Sequence, residues 1–445
     1  MRASIVFLLP LLLVGSPASA FDFLEEEEQA TVELHGELSN LLLWRNDADF
    51  DRTVPYYNEE GQSVGAVTSF FKPDITLRPT QSIELFYEGE LGLNFLSRNN
   101  PDQWYPGADD FMVYKHREIW SRIQVDFVDV KAGYQRVRDP SDLFLSHWMG
   151  AISVGVDLMR IRARALVGQL PDSTYEGVDI RENNFIHDNL TSGISMSYDL
   201  LIDELTLDAG AWFVYDTRVV RKPLFMAVPY AGFNFRTEDF RARLYGLMQV
   251  GSWDNSGVKG INQDILAWAA TAGIGMTFGP VDLGFNTFAL SADDGYDGNG
   301  HMGAFLYSGK NSSPTLLLTE DELRDRYDNL DEQMGGTWGG FSFFRNRAGL
   351  SVTDLTVTGT ITDWLSAQLI GGVGIVLEPE NAAGNRYAGF ETDLVLRLRL
   401  VRQAWLVAAG QLVLPGRAAS AFTHTNNMEE TGQIHGFQFG TLVSF

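Results

Sequence analysis

The chain has 445 residues, contains no cysteine and carries a formal net charge of −25 at pH 7. The absence of cysteine excludes disulfides, thiolate metal sites and haem attachment through thioethers, and the acidic balance argues against nucleic acid as a partner. A mean hydropathy of −0.09, with 44 glycines and 12% aromatic residues, is typical of a membrane β-barrel, in which only every second residue faces lipid.

The N-terminus has the pattern of a secretory signal peptide. Arg2 is followed by an apolar run from Ile5 to Val14 and by three small residues at 18–20, which form a cleavage pattern. The apolar run is too short to cross a bilayer as a helix, and no later segment supplies about 18 uncharged apolar residues. We therefore predict a signal peptide over 1–20 and a single barrel domain over 21–445.

Period-2 alternation and turn residues predict eighteen β-strands along this domain. They run over about 31–44, 68–78, 83–96, 111–125, 128–138, 150–157, 160–169, 190–200, 204–216, 224–236, 240–251, 265–278, 281–291, 347–360, 365–377, 387–400, 403–414 and 433–445. An even number of strands is typical of a closed outer-membrane barrel.

The predicted connections alternate in length. Those after even-numbered strands are short, as at 126–127 and 279–280, whereas those after odd-numbered strands are long, as at 170–189 and 292–346. Short periplasmic turns alternating with long outer loops are the rule for outer-membrane barrels, and a soluble sandwich or propeller has no reason to alternate in this way. The sequence thus predicts an all-β, antiparallel transmembrane barrel of about 18 strands.

The last strand has the pattern of a barrel's closing strand. Phe437, Phe439 and Val443 alternate with small or polar residues, and the chain ends on Phe445. An apolar-out strand of this kind faces lipid. We predict localisation in the bacterial outer membrane, contact with outer-membrane lipid, and recognition by the barrel-assembly machinery through Phe445.

Charges sorted by strand face predict a basic wall inside the barrel. At inward parity on the predicted strands 5, 7, 11 and 16 lie Lys131, Arg160, Arg162, Arg164, Arg241, Arg243, Arg397 and Arg399. The acidic side chains predicted to face inward are Glu33, Glu37, Glu84, Glu88, Glu90, Glu391 and Asp393. A barrel this wide can hold a water-filled channel, and charged walls inside it set selectivity.

Two interpretations of the basic wall stay open. In the first, the arginines meet a hydrated anionic solute or polymer, because guanidinium forks suit carboxylate or phosphate. In the second, they pair with lumen carboxylates and only solvate the interior. Asp157, for example, would lie across a predicted turn at 158–159 from Arg160.

The longest loop, 292–346, contains a capping box at 319–322 and predicts a short helix. It could fold into the mouth as a constriction or remain an exposed acidic loop. The segment 293–299 is similar to a calcium loop, but Gly295 replaces a ligand and Ala304 stands where the bidentate glutamate is needed. The seven histidines show no ligand-like pairing, and no serine and histidine are placed as a hydrolase pair. We therefore predict no metal, no cofactor and no enzymatic activity.

Two parts of the sequence resemble the alginate export family of outer-membrane proteins. One comprises 389–394, the apolar strand through 412–416 and the terminal Phe445; the other comprises 132–136, 147–150 and the strand to Asp157. The resemblance implies an eighteen-strand barrel that passes an anionic polysaccharide outward, with lumen arginines guiding uronate carboxylates and periplasmic export components delivering the cargo. Family members can use a long periplasmic connection as a plug, whereas every periplasmic turn predicted here is short.

The sequence therefore favours an outer-membrane channel for an anionic solute or polymer, with exopolysaccharide export placed first. The alternatives are a general or anion-selective diffusion porin and a barrel that acts as a surface-loop adhesin or receptor. The last of these would need a plugged lumen.

Overall fold

A computed structural model describes residues 30–45, 64–94, 112–169, 189–200, 204–216, 224–253, 263–293, 300–306, 348–382, 384–420 and 433–445. The predicted signal peptide, the capping box at 319–322 and most of the calcium-like segment lie outside the described residues. Among the described residues, no helix is long and apolar enough to cross a bilayer.

The described residues form eighteen wall strands, which confirms the predicted number. They are β1 (Thr31–Arg45), β2 (Val64–Thr80), β3 (Ile83–Asn94), β4 (Met112–Val125), β5 (Val128–Arg138), β6 (Ser146–Leu158), β7 (Ile161–Gln169), β8 (Asn189–Asp199), β9 (Leu205–Asp216), β10 (Leu224–Arg236), β11 (Phe240–Trp253), β12 (Gln263–Phe278), β13 (Val281–Leu290), β14 (Leu350–Thr362), β15 (Leu365–Val376), β16 (Tyr387–Val401), β17 (Ala404–Pro415) and β18 (Ile434–Ser444).

Each strand pairs antiparallel with its sequence neighbours, and β1 pairs with β18 to close the barrel. At this seam the backbones of Gly36 and Phe445 exchange two hydrogen bonds of 3.2 and 3.1 Å. The Phe445 ring covers Gly36 and stacks on Phe71 of β2 with ring centroids 5.9 Å apart. The closing strand therefore has the form that the C-terminal pattern predicts.

We assign the end of the barrel that carries the short turns to the periplasm. The turns at this end are tight. Three two-residue turns begin with a residue of positive φ, at Asp126 (51°), Met159 (51°) and Gly279 (56°). Such turns match the right-handed twist of the flanking strands. The β6–β7 turn consists of Met159 and Arg160, one residue later than the predicted turn at 158–159.

The outer surface of the wall is apolar. Along β11, Leu244, Met248 and Val250 are 45–47% exposed, whereas the alternating Tyr245 and Leu247 are 4% exposed. This alternation repeats around the wall, as expected when the outer face meets lipid and the inner face is covered by protein or water. The apolar exterior of the closed barrel places the chain in the bacterial outer membrane.

Part of the lumen is filled by two inward-folded loops. The β5–β6 loop (139–145) buries Leu143, Phe144 and Leu145 completely, and the β13–β14 loop contributes Met302 and Phe305. These side chains pack with inner-face residues of β9 to β14 into one apolar cluster. Two loop residues, His301–Met302, also form a short parallel strand with β12.

Candidate solute path in the lumen

Arginines collect near the periplasmic ends of the strands, on the inner face. Arg78 lies close to the β2–β3 turn, Arg122 to the β4–β5 turn, Arg162 to the β6–β7 turn, Arg241 to the β10–β11 turn and Arg397 to the β16–β17 turn. They therefore surround the lumen at one level, and we call this set, with Arg164, Arg243 and Arg399, the arginine ring.

Four arginines of this ring form hydrogen-bonded ion pairs. Arg78 bonds Glu33 of β1 at 2.6 Å and Glu84 of β3 at 3.2 Å. The other three arginines each bind one carboxylate: Arg122 binds Asp129 at 2.6 Å, Arg162 binds Asp199 at 3.0 Å, and Arg241 binds both oxygens of Asp282 at 2.8 and 2.6 Å. Of the predicted basic wall, Arg162 and Arg241 thus pair with carboxylates, whereas Arg78 and Arg122 are arginines that the prediction did not include.

Two of the contacts span an intervening strand, and each passes over a glycine. Arg164 of β7 approaches Asp129 of β5 at 3.7 Å, and Gly155 of β6 lies between them in register. Arg241 reaches β13 across Gly275 of β12, where a Cβ atom would collide with the guanidinium. The absence of a side chain on the middle strand creates the space for these contacts.

The residues of the predicted basic wall lie in separate sectors of the barrel. Lys131, Arg162 and Arg164 lie together on β5 and β7, whereas Arg241 is on β11 and Arg397 on β16. The reason is the strand order, since consecutive numbering places β11 and β16 far around the wall from β7.

Arg160 is a further correction, because it belongs to the β6–β7 turn and not to a wall strand. Asp157 consequently faces Arg162 in the register and not Arg160. The error follows from placing the turn one residue too early.

Four ring members hydrogen-bond to no carboxylate among the described residues. Arg164 makes only its 3.7 Å contact with Asp129, and Arg397 donates to the Gln368 amide oxygen at 3.2 Å. Arg243 lies beside Gly273 of β12, and Arg399 is exposed on the inner face of β16. These side chains retain donors for a solute.

The predicted acidic side chains occupy different environments. Glu90 is 5% exposed and binds Arg117 through two hydrogen bonds of 3.0 and 2.7 Å, with Lys72 at 3.6 Å. Glu37 faces Lys72 in the β1–β2 register, and Glu88 faces Glu118 in the β3–β4 register.

Glu391 and Asp393 on β16 are 0% and 1% exposed. Buried among protein groups, neither contributes an acidic surface to the open lumen.

Arg117 faces the lumen, although the two-residue alternation along its strand does not predict this. The β3–β4 pairing shifts register between Glu88 and Gly89, so that Arg117 is an extra residue in β4. Because of this bulge, both Arg117 and the adjacent Glu118 contact inward groups. Arg117 also lies over the Trp148 ring at 4.7 Å. No sequence signal marks the bulge.

The two inward loops narrow the passage. Phe144 and Phe305 meet edge to face with centroids 6.5 Å apart, although their loops leave the wall nearly half-way around from each other. Gln249 of β11 fixes the second loop through bonds to both backbone groups of Leu306. Residues 300–306 of the long loop thus fold inward against the wall, whereas most of the loop lies outside the described residues, so its two predicted outcomes stay open.

Asp139 fixes the first loop from within. Its carboxylate accepts hydrogen bonds from the amides of Ser141 (2.9 Å), Phe144 (3.0 Å) and Leu145 (2.7 Å), and from the Ser141 hydroxyl. Burial raises the pKa of the Asp139 carboxyl, and these hydrogen bonds oppose the rise. The loop is therefore held by a dense polar turn that presents Phe144 to the lumen.

The described residues contain no group of three or more acidic or histidine side chains that could hold a metal ion. The polar groups of the lumen are instead arginines, carboxylates and hydroxyls, which can bind and orient an ionic solute but are not arranged around a reacting centre.

No family model matches the sequence, and no curated protein matches it. The resemblance to the alginate export family therefore stays a prediction.

Several solved structures share the fold. OccK9 (OpdG) of Pseudomonas aeruginosa matches with a TM-score of 0.60 at 11% identity. OpdK of Pseudomonas aeruginosa with vanillate has a TM-score of 0.55 at 10% identity, and OccK2 (OpdF) of the same organism in complex with glucuronate has 0.55 at 12% identity. Each match covers 93% of this chain and 98% of the other. The fold of the chain is thus that of an 18-strand β-barrel of the bacterial outer membrane.

Proposed function

We propose that this barrel is an outer-membrane channel for small anionic solutes. The observation that carries the proposal is the arginine ring, in which Arg164, Arg243, Arg397 and Arg399 hydrogen-bond to no carboxylate of the described residues. In a chain with a net charge of −25, these guanidiniums concentrate positive potential inside the lumen. Charged walls of this kind set the selectivity of a pore.

The similar solved structures support a small solute. OpdK was solved with vanillate and OccK2 (OpdF) with glucuronate, and both molecules are single carboxylic acids. The Phe144–Phe305 contact also favours a small molecule over a polymer, because a chain of sugars would have to thread a lumen that two loops cross.

Export of an anionic polysaccharide is the second candidate, and the resemblance at 132–157 and 389–445 favours it. It requires the inward loops to move aside during transport. A surface adhesin or receptor ranks third, since it gives the lumen arginines no role.

Planar-bilayer recordings of the refolded protein test the proposal. We expect wild type to prefer anions, and a variant with Arg164, Arg243, Arg397 and Arg399 changed to Gln to lose most of that preference. The matched control is Arg402→Gln, which removes an exposed arginine in the β16–β17 turn and should leave the reversal potential unchanged. The proposal would be contradicted by a barrel that does not conduct, or by an anion preference that the four substitutions leave unchanged.

A further inference from the structure

We propose that the barrel wall has a lateral opening toward the membrane, and that this opening binds an anionic single-chain amphiphile, an ionised long-chain fatty acid. The opening lies between β4 and the end of the β5–β6 hairpin, residues 135–149, and we call it the wall window. The inference goes beyond the proposed function, because it does not depend on conduction of a soluble anion.

The strand pairing defines the wall window. β4 pairs with β5 only as far as the pair Ile119–Tyr134, although β4 continues to Met112 in its pairing with β3. On the other side of the hairpin, the pairing of β6 with β7 ends at Gly150. Residues 135–149 therefore pair only with one another in the described part of the chain. No strand of that part continues the wall beside β4 above Ile119.

Two local irregularities place the break at this level. Arg117 is the extra residue of the β4 bulge, and Gly133 of β5 has a φ of 137°. A Cβ atom at Gly133 would collide with the carbonyl oxygen of Ile119, so the two strands approach closely only because this residue is glycine. Beyond Gly133 the hairpin end turns into the lumen, where Val137 and Met149 join the apolar cluster.

The wall window begins within the depth of the membrane. Below it, β5 contributes Val128–Tyr134 to the wall. These residues extend about 20 Å along the strand and, at a tilt of about 40°, about 15 Å along the barrel axis. The apolar band of an outer-membrane barrel is about 25 Å tall. A molecule dissolved in the membrane can therefore meet the wall window from the side, with its alkyl chain in the lipid.

The hairpin face that looks toward β4 is cationic and aromatic. Trp148 lies between two guanidiniums, since Arg117 of β4 is 4.7 Å and Arg136 of β5 is 4.8 Å from the centre of its ring. Arg138 lies on the same face, two residues beyond Arg136, and is exposed. Its side chain forms no hydrogen bond or ion pair among the described residues.

The carboxylates near the wall window have other partners. Glu90 and Glu118 contact cationic side chains of the wall. In the loop that follows Arg138, Asp139 accepts hydrogen bonds from the amides of its own loop, and Asp142 has a partner of its own. The Arg138 guanidinium can therefore bind a carboxylate that arrives through the wall window. A ligand that enters from lipid and ends at a guanidinium is an anionic amphiphile.

Photo-crosslinking in proteoliposomes tests the inference. The probe is palmitate with a diazirine in its chain, used under alkaline conditions in which it is ionised, and the matched probe is the corresponding alcohol. We expect palmitate to label residues 135–149 at least tenfold more than the alcohol does, while both label the lipid-facing segment 244–250 equally. Arg138→Gln should lower palmitate labelling of the hairpin end at least fivefold, Arg138→Lys should lower it less, and Arg402→Gln should not change it.

Three results would overturn the inference: no labelling of residues 135–149 by palmitate, equal labelling by the alcohol, or labelling that Arg138→Gln leaves unchanged. A five-carbon diazirine acid, which stays in water, tests the direction of entry. If it labels the hairpin end as strongly as palmitate does, the ligand arrives through the aqueous lumen and the wall window is rejected. The heat-dependent mobility shift on gels verifies that each variant is folded.

Discussion

Replacing Phe144 by alanine should loosen the constriction without unfolding the barrel. The Phe144 side chain is completely buried between the inner wall and the second loop, and its ring meets Phe305. Truncating a buried Phe to Ala costs about 3–5 kcal/mol in a protein core. Here that cost falls on the docking of the 139–145 loop, because the wall strands keep their hydrogen bonds.

Each 1.4 kcal/mol is a factor of about ten in an equilibrium constant. The ratio of docked to undocked loop should therefore fall by roughly two to three and a half orders of magnitude. An undocked loop leaves the passage wider. We therefore expect Phe144→Ala to show larger single-channel currents and frequent transitions between current levels. Circular dichroism and the heat-dependent mobility shift on gels should match wild type.

The control is Phe225→Ala on β10, which removes the same ring from the lipid-facing side, where Phe225 is 51% exposed. We expect wild-type currents from it. If Phe144→Ala conducts like wild type, or if both variants change the current equally, then the loop does not limit the passage and the reasoning fails.

Three further outcomes follow from contacts in and around the lumen. Asp139→Asn replaces an oxygen that accepts the Ser141 amide by an NH₂ group, so it should weaken loop docking by about 1–3 kcal/mol and give a milder form of the Phe144→Ala current record. Glu90→Gln leaves a poorly exposed arginine without its charge partner and should lower the free energy of unfolding by about 3–5 kcal/mol in urea titrations. Gly275→Ala places a methyl group where the Arg241 side chain now lies, and by freeing that guanidinium it should raise the anion preference in reversal-potential measurements.

Two of these expectations have a matched control variant. Glu33→Gln breaks an ion pair whose two side chains are 42% and 36% exposed, so it should cost at most about 1 kcal/mol. An equal loss for Glu33→Gln and Glu90→Gln would contradict the role of burial. Gly246→Ala adds a methyl group in open space on the same sheet. It should not alter selectivity, and a shift as large as that of Gly275→Ala would show that a steric change at Arg241 is not the cause.

The strand count could be predicted because each strand carries its own signal. Alternation along β11, for example, depends only on which face meets lipid, and that face is apolar everywhere on the wall. Strand ends are less certain. β6 begins at Ser146, four residues before the predicted start, because Ser146 to Met149 pair with Arg138 to Gln135 beneath an inward loop that the local sequence does not reveal.

The face of the strand on which a charged residue lies could also be predicted for most lumen charges. The residues with which these charges pair could not. Arg164 and Asp129 are 35 positions apart in the sequence and two strands apart in the wall. Their approach depends on the register of β6 and on the glycine that β6 places between them. Register is a property of the assembled sheet, so a single strand does not carry this information.

Arg117 shows where the two-residue alternation of a strand fails to predict the direction of a side chain. One extra residue in β4 directs two consecutive side chains inward and gives Glu90 its buried partner. A bulge changes the alternation locally and then restores it, so the residues on either side still follow the expected pattern.

In the proposed channel, the two ends of the lumen act on a solute in different ways. Near the periplasmic turns, the arginine ring acts by charge, and most of its ion pairs are half exposed and hence weak, so a carboxylate solute can compete for the guanidiniums. Farther out, the loops carrying Phe144 and Phe305 act by size, since their apolar contacts exclude water and offer no partner to an ion. In the proposed channel, a solute that passes the loops then meets the positive charge of the arginine ring, and this arrangement favours small anions over both small cations and large polymers.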